Sequence, residues 1–149
     1  MILSDINIHE VSAALLVRIF LGMLFLFQGY DKIFRMGVKQ VVETIHTPLE
    51  DKGVPIFVSK IGAYFTSYTE FIFGILLIVG FIKYYCLYFL GIDLIFAAFA
   101  FGMVEAMWDM KHIFPRLALI LFLLVIPSEW DKISIDYIWS AIKFFKTTF

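Results

Sequence analysis

The sequence predicts an all-α integral membrane protein: a four-transmembrane-helix bundle with a C-terminal amphipathic helix. Three observations predict it. Hydrophobic residues make up 62% of the 149-residue chain and charged residues 17%, against roughly 25% charged in ordinary soluble domains. A chain this small cannot hide so much apolar surface from water, so lipid is the solvent for most of it. Apolar runs of about the 20 residues that a bilayer core requires recur along the chain, with Gly, Pro and charged breakers between them.

The length allows one domain, 1–149. Met1–Glu10 carries no Lys or Arg side chain, so it lacks the cationic region of a secretory signal and is expected to remain in the mature protein. Val11–Tyr30 reads as the first span (11–30). On a helix, Arg18, Gly22, Phe25, Gly29 and Lys32 fall on one stripe, a cation at each end and two glycines between. Gln28 sits beside Gly29.

Asp31–Pro55 is the one long polar connection. Met36–Ile45 has the pattern of a short surface helix, and Thr47–Pro48 and Gly53–Val54–Pro55 are breakers around a turn. The second span covers 57–81, with Ser59, Ala63, Thr66, Glu70 and Gly74 on one face. Small residues let membrane helices approach closely, so this face is expected to pack on the Gly22–Gly29 stripe.

Lys83 marks a tight connection, and Tyr84–Met103 is the third span (84–103). Pro115 suits the first turn of a fourth helix, where its missing N–H costs nothing. That span covers 113–130, with Pro127 ending its apolar run and Trp130 at the interface. Residues 134–149 form the amphipathic helix, with Ile135, Ile138, Trp139, Ile142 and Phe145 on one side. It lies in the membrane surface or packs on the end of the bundle. Lys and Arg are slightly more frequent in the odd-numbered connections, which favours both termini outside the cytoplasm.

Arg18, Glu70 and Asp93 each fall near the middle of a span, so all three are expected near the bilayer midplane. Unpaired charges there cost roughly 2.5–3.5 kcal/mol each. One arginine fork bridging two carboxylates is the economical arrangement. Two readings follow. The cluster is a structural bridge fixing helix register, or it is a polar pocket for a carbonyl-bearing or protonatable ligand such as a quinone head group. Under the second reading the candidate ligand-binding residues are Arg18, Glu70, Asp93, Gln28 and Lys32, and none is assigned a catalytic role.

A second group, Glu105, Asp109 and His112, has carboxylates one helical turn apart. It is a weak metal or proton-relay candidate. Within this group no compact HxxxH or ExxH spacing is present, so no metal is assigned and the group reads as a solvated helix end with Trp108 as anchor. His9 and His46 are expected to be solvated, and Cys86 to serve packing. As the single cysteine, Cys86 admits no intramolecular disulfide. The net charge of -1 and the lack of a basic block give no footing for nucleic acid.

Four pieces in order resemble the DoxX family. They are Arg18-x3-Gly22 followed by Gly29-x2-Lys32, Glu70-x3-Gly74 followed by Leu76-Leu77-Ile78-Val79-Gly80, Pro115-Arg116-Leu117 opening an apolar helix, and Trp130-Asp131-Lys132-Ile133-Ser134-Ile135-Asp136. The likeness runs from about Leu15 to Trp139. It implies a multi-pass protein of four helices in the bacterial inner membrane. Relatives in that family include a subunit of a thiosulfate:quinone oxidoreductase and components of membrane-associated oxidative-stress complexes. Branches that act through paired cysteines are excluded by the lone Cys86. Haem or iron–sulfur ligation lacks its clustered ligands, so no cofactor is evident and quinone is the candidate.

The expected role is an accessory subunit of a membrane redox assembly, not an enzyme on its own. Its partners are the lipid bilayer and other membrane or membrane-associated subunits. The alternatives are a small proton-coupled transporter and a purely structural scaffold.

Overall fold

The computed structural model describes residues 7–148, and for residues 105–110 and 144–148 the backbone alone. The described residues are helical, with short turns between helices. Helix α1 is Ile8–Tyr30, which continues as a π-helical segment, Asp31–Met36. Then come α2 (Val38–Glu50), α3 (Ile56–Val79), α4 (Lys83–Val125), a 3-10 turn (Ser128–Trp130) and α5 (Ile135–Thr148). Among the described residues, three helical segments are long and apolar enough to cross a membrane: Ile8–Met36, Ile56–Val79 and Lys83–Val104.

Backbone contact between α1 and α3 sets the bundle. A Cβ on Gly74 would lie 2.6 Å from the backbone nitrogen of Leu26, and one on Gly29 would lie 2.7 Å from the Cα of Phe71. One on Gly22 would lie 3.0 Å from the Gly74 carbonyl oxygen. Only glycine allows this approach, and it occurs on the faces that the small-residue pattern selects. The pairings run in opposite directions along the two helices, so α1 and α3 are antiparallel.

Helix α4 is helical over all 43 of its residues. Straight, it would be about 64 Å long. Yet its two ends meet: the Tyr84 hydroxyl lies 2.9 Å from Ser128 Oγ, and Lys83 Nζ lies 3.2 Å from Asp131 Oδ2. Leu87, Leu90 and Leu94 share one core cluster with Ile113, Ile120 and Leu123. The helix therefore doubles back, and 111–125 returns alongside 83–104. The sequence places a helix start at Pro115, but Pro115 lies inside α4. Ile126 ends the helix ahead of Pro127 as expected.

The long polar connection is ordered. Helix α2 runs past Thr47–Pro48 to Glu50, so that pair does not break it. Pro48 stands in the last turn, close to where the backbone bonds end in any case. Val41, Val42 and Ile45 pack on Ala63 of α3. Under that contact His46 is half-buried, its Nδ1 3.2 Å from Ser59 Oγ. The expectation of a solvated His46 is thus overturned: the apolar face of α2 carries it inward. Cys86 is buried in the core. Large apolar side chains such as Phe99 (70% exposed) and Leu16 (67%) cover the outside, as lipid-facing surface does.

A tight turn joins α3 to α4. Gly80 (φ 70°) ends α3 in the left-handed region, and Ile82 (φ 48°) shares that region without being glycine. For a β-branched residue this backbone is strained. Asp136 holds it: its carboxylate accepts from the backbone N–H of Ile82 and of Lys83, both at 2.8 Å, while its own N–H donates to the Gly80 carbonyl at 3.0 Å. The carboxylate thereby caps the start of α4. Ser134 caps α5 in turn, accepting from the Tyr137 N–H at 3.2 Å.

Gly29→Ala and Gly74→Ala should each destabilise the bundle by about 1–3 kcal/mol through overpacking, measured by unfolding in mixed micelles. Gly62→Ala and Gly91→Ala, which would meet no atom within 4 Å, should be neutral or gain up to ~1 kcal/mol of helix propensity. Asp136→Ala should cost about 1–2 kcal/mol as a lost cap and should speed proteolysis after Lys132, seen as an earlier C-terminal fragment.

Candidate functional site

The antiparallel register of α1 on α3 decides which charges meet. Lys32, carried into the π-helical segment past Gly29, places its Nζ 2.7 Å from Glu70 Oε2. Glu70 is buried and Lys32 only slightly exposed. Asp93 on α4 lies against Glu70, with Lys32 and Arg116 in electrostatic range. Arg116, on the returning arm, donates to Gln28 Oε1, and its guanidinium stands 5.8 Å from the Phe25 ring centroid. Two cations, two carboxylates and an amide from every long helix thus converge in the bundle.

Arg18 is elsewhere. Its Nη2 donates to the Ile133 carbonyl, and its Nε lies 3.5 Å from Asp131 Oδ1. Asp131 also holds Lys83, so one buried carboxylate bridges two buried cations. The guanidinium packs on Gly80, roughly 15 Å along α3 from Glu70. The expected Arg18–Glu70–Asp93 bridge is therefore corrected to two separate centres. Arg18 closes the end of the bundle at the α3–α4 turn, and Lys32 and Arg116 are the cations beside Glu70 and Asp93. The physical reason is length: the first helical segment has 29 residues, more than a bilayer needs, so the middle of its apolar run is not the middle of the bundle.

Both centres keep buried polar atoms without a hydrogen-bond partner: Arg18 Nε and Nη1 and Asp131 Oδ1 at the end of the bundle, Glu70 Oε2 and the Asp93 oxygens in the interior. At the end of the bundle the charges of Arg18, Lys83 and Asp131 still pair. At the interior centre Lys32 answers Glu70, and Gln28 answers Arg116. Asp93 is 0% exposed, its carboxyl stands against that of Glu70, and no cation pairs with its oxygens among the described residues. A buried carboxylate without a paired cation is costly.

Of the residues singled out in the sequence, Gln28, Lys32, Glu70 and Asp93 come together and Arg18 does not join them. Sequence reasoning missed Arg116 as a member. Its signal was present, a cation one residue inside an apolar run, but a charge after Pro115 reads equally as a flank. It also missed Asp131 and Lys83, whose partners are remote in the chain. The side chains of Glu105 and Asp109 lie outside the described residues, and His112 is exposed. Among the described residues no three His, Cys, Asp or Glu side chains come together as a metal site would require.

A family model described as DoxX matches residues 13–103, more than half of the chain. No curated protein and no solved structure matches it. The matched stretch holds Arg18, Gln28, Lys32, Glu70, Lys83 and Asp93, while Arg116 and Asp131 lie beyond it. With its apolar helices and this match, the chain is a multi-pass membrane protein that belongs to the DoxX family.

Proposed function

We propose that this protein is an accessory subunit of a redox assembly in the bacterial inner membrane. Its interior centre takes the polar head of a hydrophobic ligand, a quinone being the candidate. The observation that carries the reading is Asp93, wholly buried against Glu70 with no cation paired to its oxygens, beside the Lys32–Glu70 pair. Intramembrane ionisable residues mark ligand and proton sites by default. A carboxyl without a cation, a guanidinium and an ammonium within one cluster suit a head group with oxygens at opposite ends. A bound quinone supplies reversible two-electron, two-proton chemistry. The chain's own part is to bind and orient: Asp93 and Gln28 offer acceptors, while Arg116 and Lys32 offer donors and positive charge.

In this reading four helical passes cross the bilayer, the fourth being the returning arm of α4 together with the residues up to Trp130. Helix α5 lies in the membrane surface. Ile138 (55% exposed) and Trp139 (69%) on it are turned away from the bundle, which favours an interfacial helix over one packed on the bundle's end. The polar face of α2 and the Asp31–Arg35 pair (3.2 Å) beside it offer other subunits a hydrophilic docking surface.

Native mass spectrometry of protein extracted gently from its own membranes tests the ligand. The wild type should retain an added mass matching a quinone, and Asp93→Leu and Arg116→Met should lose it while Arg18 variants that fold keep it. A wild-type protein carrying phospholipid alone would contradict the ligand reading and leave the interior charges as structural.

A further inference from the structure

The end of the bundle holds a cavity that shares no residue with the interior centre. It has a volume of about 280 Å³ and opens where the start of α4, the 3-10 turn and the start of α5 meet. Its walls carry Lys83, Asp131, Asp136 and the hydroxyl side chains of Ser128, Tyr137 and Ser140. Lys83 (4% exposed) and Asp131 (5%) are deeply buried. Sites for drug-sized molecules run from about 300 to 1,000 Å³, so this space suits a smaller polar group. Ile133, Ile138 and Trp139 flank the lining residues in the chain, and each is more than half exposed. Apolar side chains turned outward beside a polar cavity, a tryptophan among them, fit the head-group level of a bilayer.

Charge decides what kind of group the cavity takes. Behind it, Arg18 Nε lies 3.5 Å from Asp131 Oδ1. Arg18 and Lys83 balance Asp131 and Asp136, so the surroundings are neutral. A lone anion would meet two carboxylates, and a lone cation would meet two cationic side chains. A group carrying both signs finds a partner for each. Hydrogen-bond capacity points the same way. The Asp136 carboxylate is taken up by the backbone N–H of Ile82 and of Lys83. The Lys83 ammonium has three protons and, among the described residues, one hydrogen-bond acceptor, Asp131 Oδ2 at 3.2 Å. Asp131 Oδ1 has no hydrogen-bond donor. Donors on Lys83 and an acceptor on Asp131 are left for a guest. We propose that the cavity seats the head group of an ethanolamine phospholipid. Its ammonium donates to Asp131, its phosphate accepts from Lys83 and the hydroxyls of the wall, and its acyl chains stay in the lipid beside α5. A choline head has no N–H to donate, and a glycerol head brings a negative charge without a positive one.

The test is native mass spectrometry of the full chain released from nanodiscs. These hold equal amounts of ethanolamine, choline and glycerol phospholipids with the same acyl chains. The wild type should retain the ethanolamine lipid about tenfold over either of the others, the scale of a hydrogen bond to a charged group. Ser140→Leu fills the rim of the cavity. The Ser140 hydroxyl donates within its own helix, to the Tyr137 carbonyl at 2.7 Å, so the exchange should leave the fold intact and bring the ratio close to one. Equal retention of the three lipids, or a preference for either of the other two, overturns the proposal. So does an ethanolamine preference that survives in Ser140→Leu, since the lipid would then sit elsewhere on the surface. Should Ser140→Leu fail to fold, the wild-type comparison of ethanolamine with choline lipid still decides, because the two heads differ only in the substituents on nitrogen. None of these outcomes depends on what the interior centre binds.

Discussion

Everything in this bundle depends on how closely α1 approaches α3. Gly22, Gly29 and Gly74 bring backbone against backbone, with Leu26 and Phe71 as the atoms a side chain would strike. In lipid, burying Leu against Leu gains little, so close backbone contact is a main source of helix association. The contact also fixes register. With Gly29 opposite Phe71, Lys32 must fall beside Glu70, and Arg18 must fall beside the turn at Gly80. The electrostatic layout follows from the steric one.

That layout separates two kinds of buried charge. At the end of the bundle, Asp131 bridges Arg18 and Lys83, and the Ile133 carbonyl takes a further guanidinium donor. With Asp136 capping α4, these residues fasten the segment after α4 to a strained turn. Buried ion pairs add little net stability against an apolar replacement, yet breaking one strands a charge, so this centre acts as a lock on the chain's path. At the interior centre Lys32 pairs with Glu70, while Asp93 has no ion-pair partner among the described residues. Buried polar networks left partly unsatisfied are costly, and proteins keep such costs where a site uses them.

Much of this was legible in the sequence, and the limits have physical causes. The small-residue face of α3 and its packing on the α1 glycines could be read because helical periodicity and backbone approach are local properties. The start of α3 after Pro55 and the stop at Ile126 followed from proline for the same reason, whereas the span was carried to Phe81, past the Gly80 that ends α3. The depth of Arg18 could not be read: an apolar run longer than the bilayer does not say where its middle sits, and the partner helix decides. Continuation of α2 past Pro48 and of α4 past Pro115 was hidden because a proline removes one bond and tertiary packing can absorb the loss. Of the polar residues, Gln28, Lys32, Glu70 and Asp93 were identified as candidates because charge is rare in apolar runs. Arg116, Lys83 and Asp131 were not, since their partners lie at the far end of the chain or on the returning arm.

The most direct test of the account is a pair of double-mutant cycles on unfolding in mixed micelles, one with Lys32→Met and Glu70→Gln, the other with Arg18→Met and Glu70→Gln. The account predicts a coupling energy above about 1 kcal/mol for Lys32 with Glu70 and additivity within about 0.5 kcal/mol for Arg18 with Glu70. Strong coupling between Arg18 and Glu70, with none between Lys32 and Glu70, would contradict the division of the buried charges into two centres.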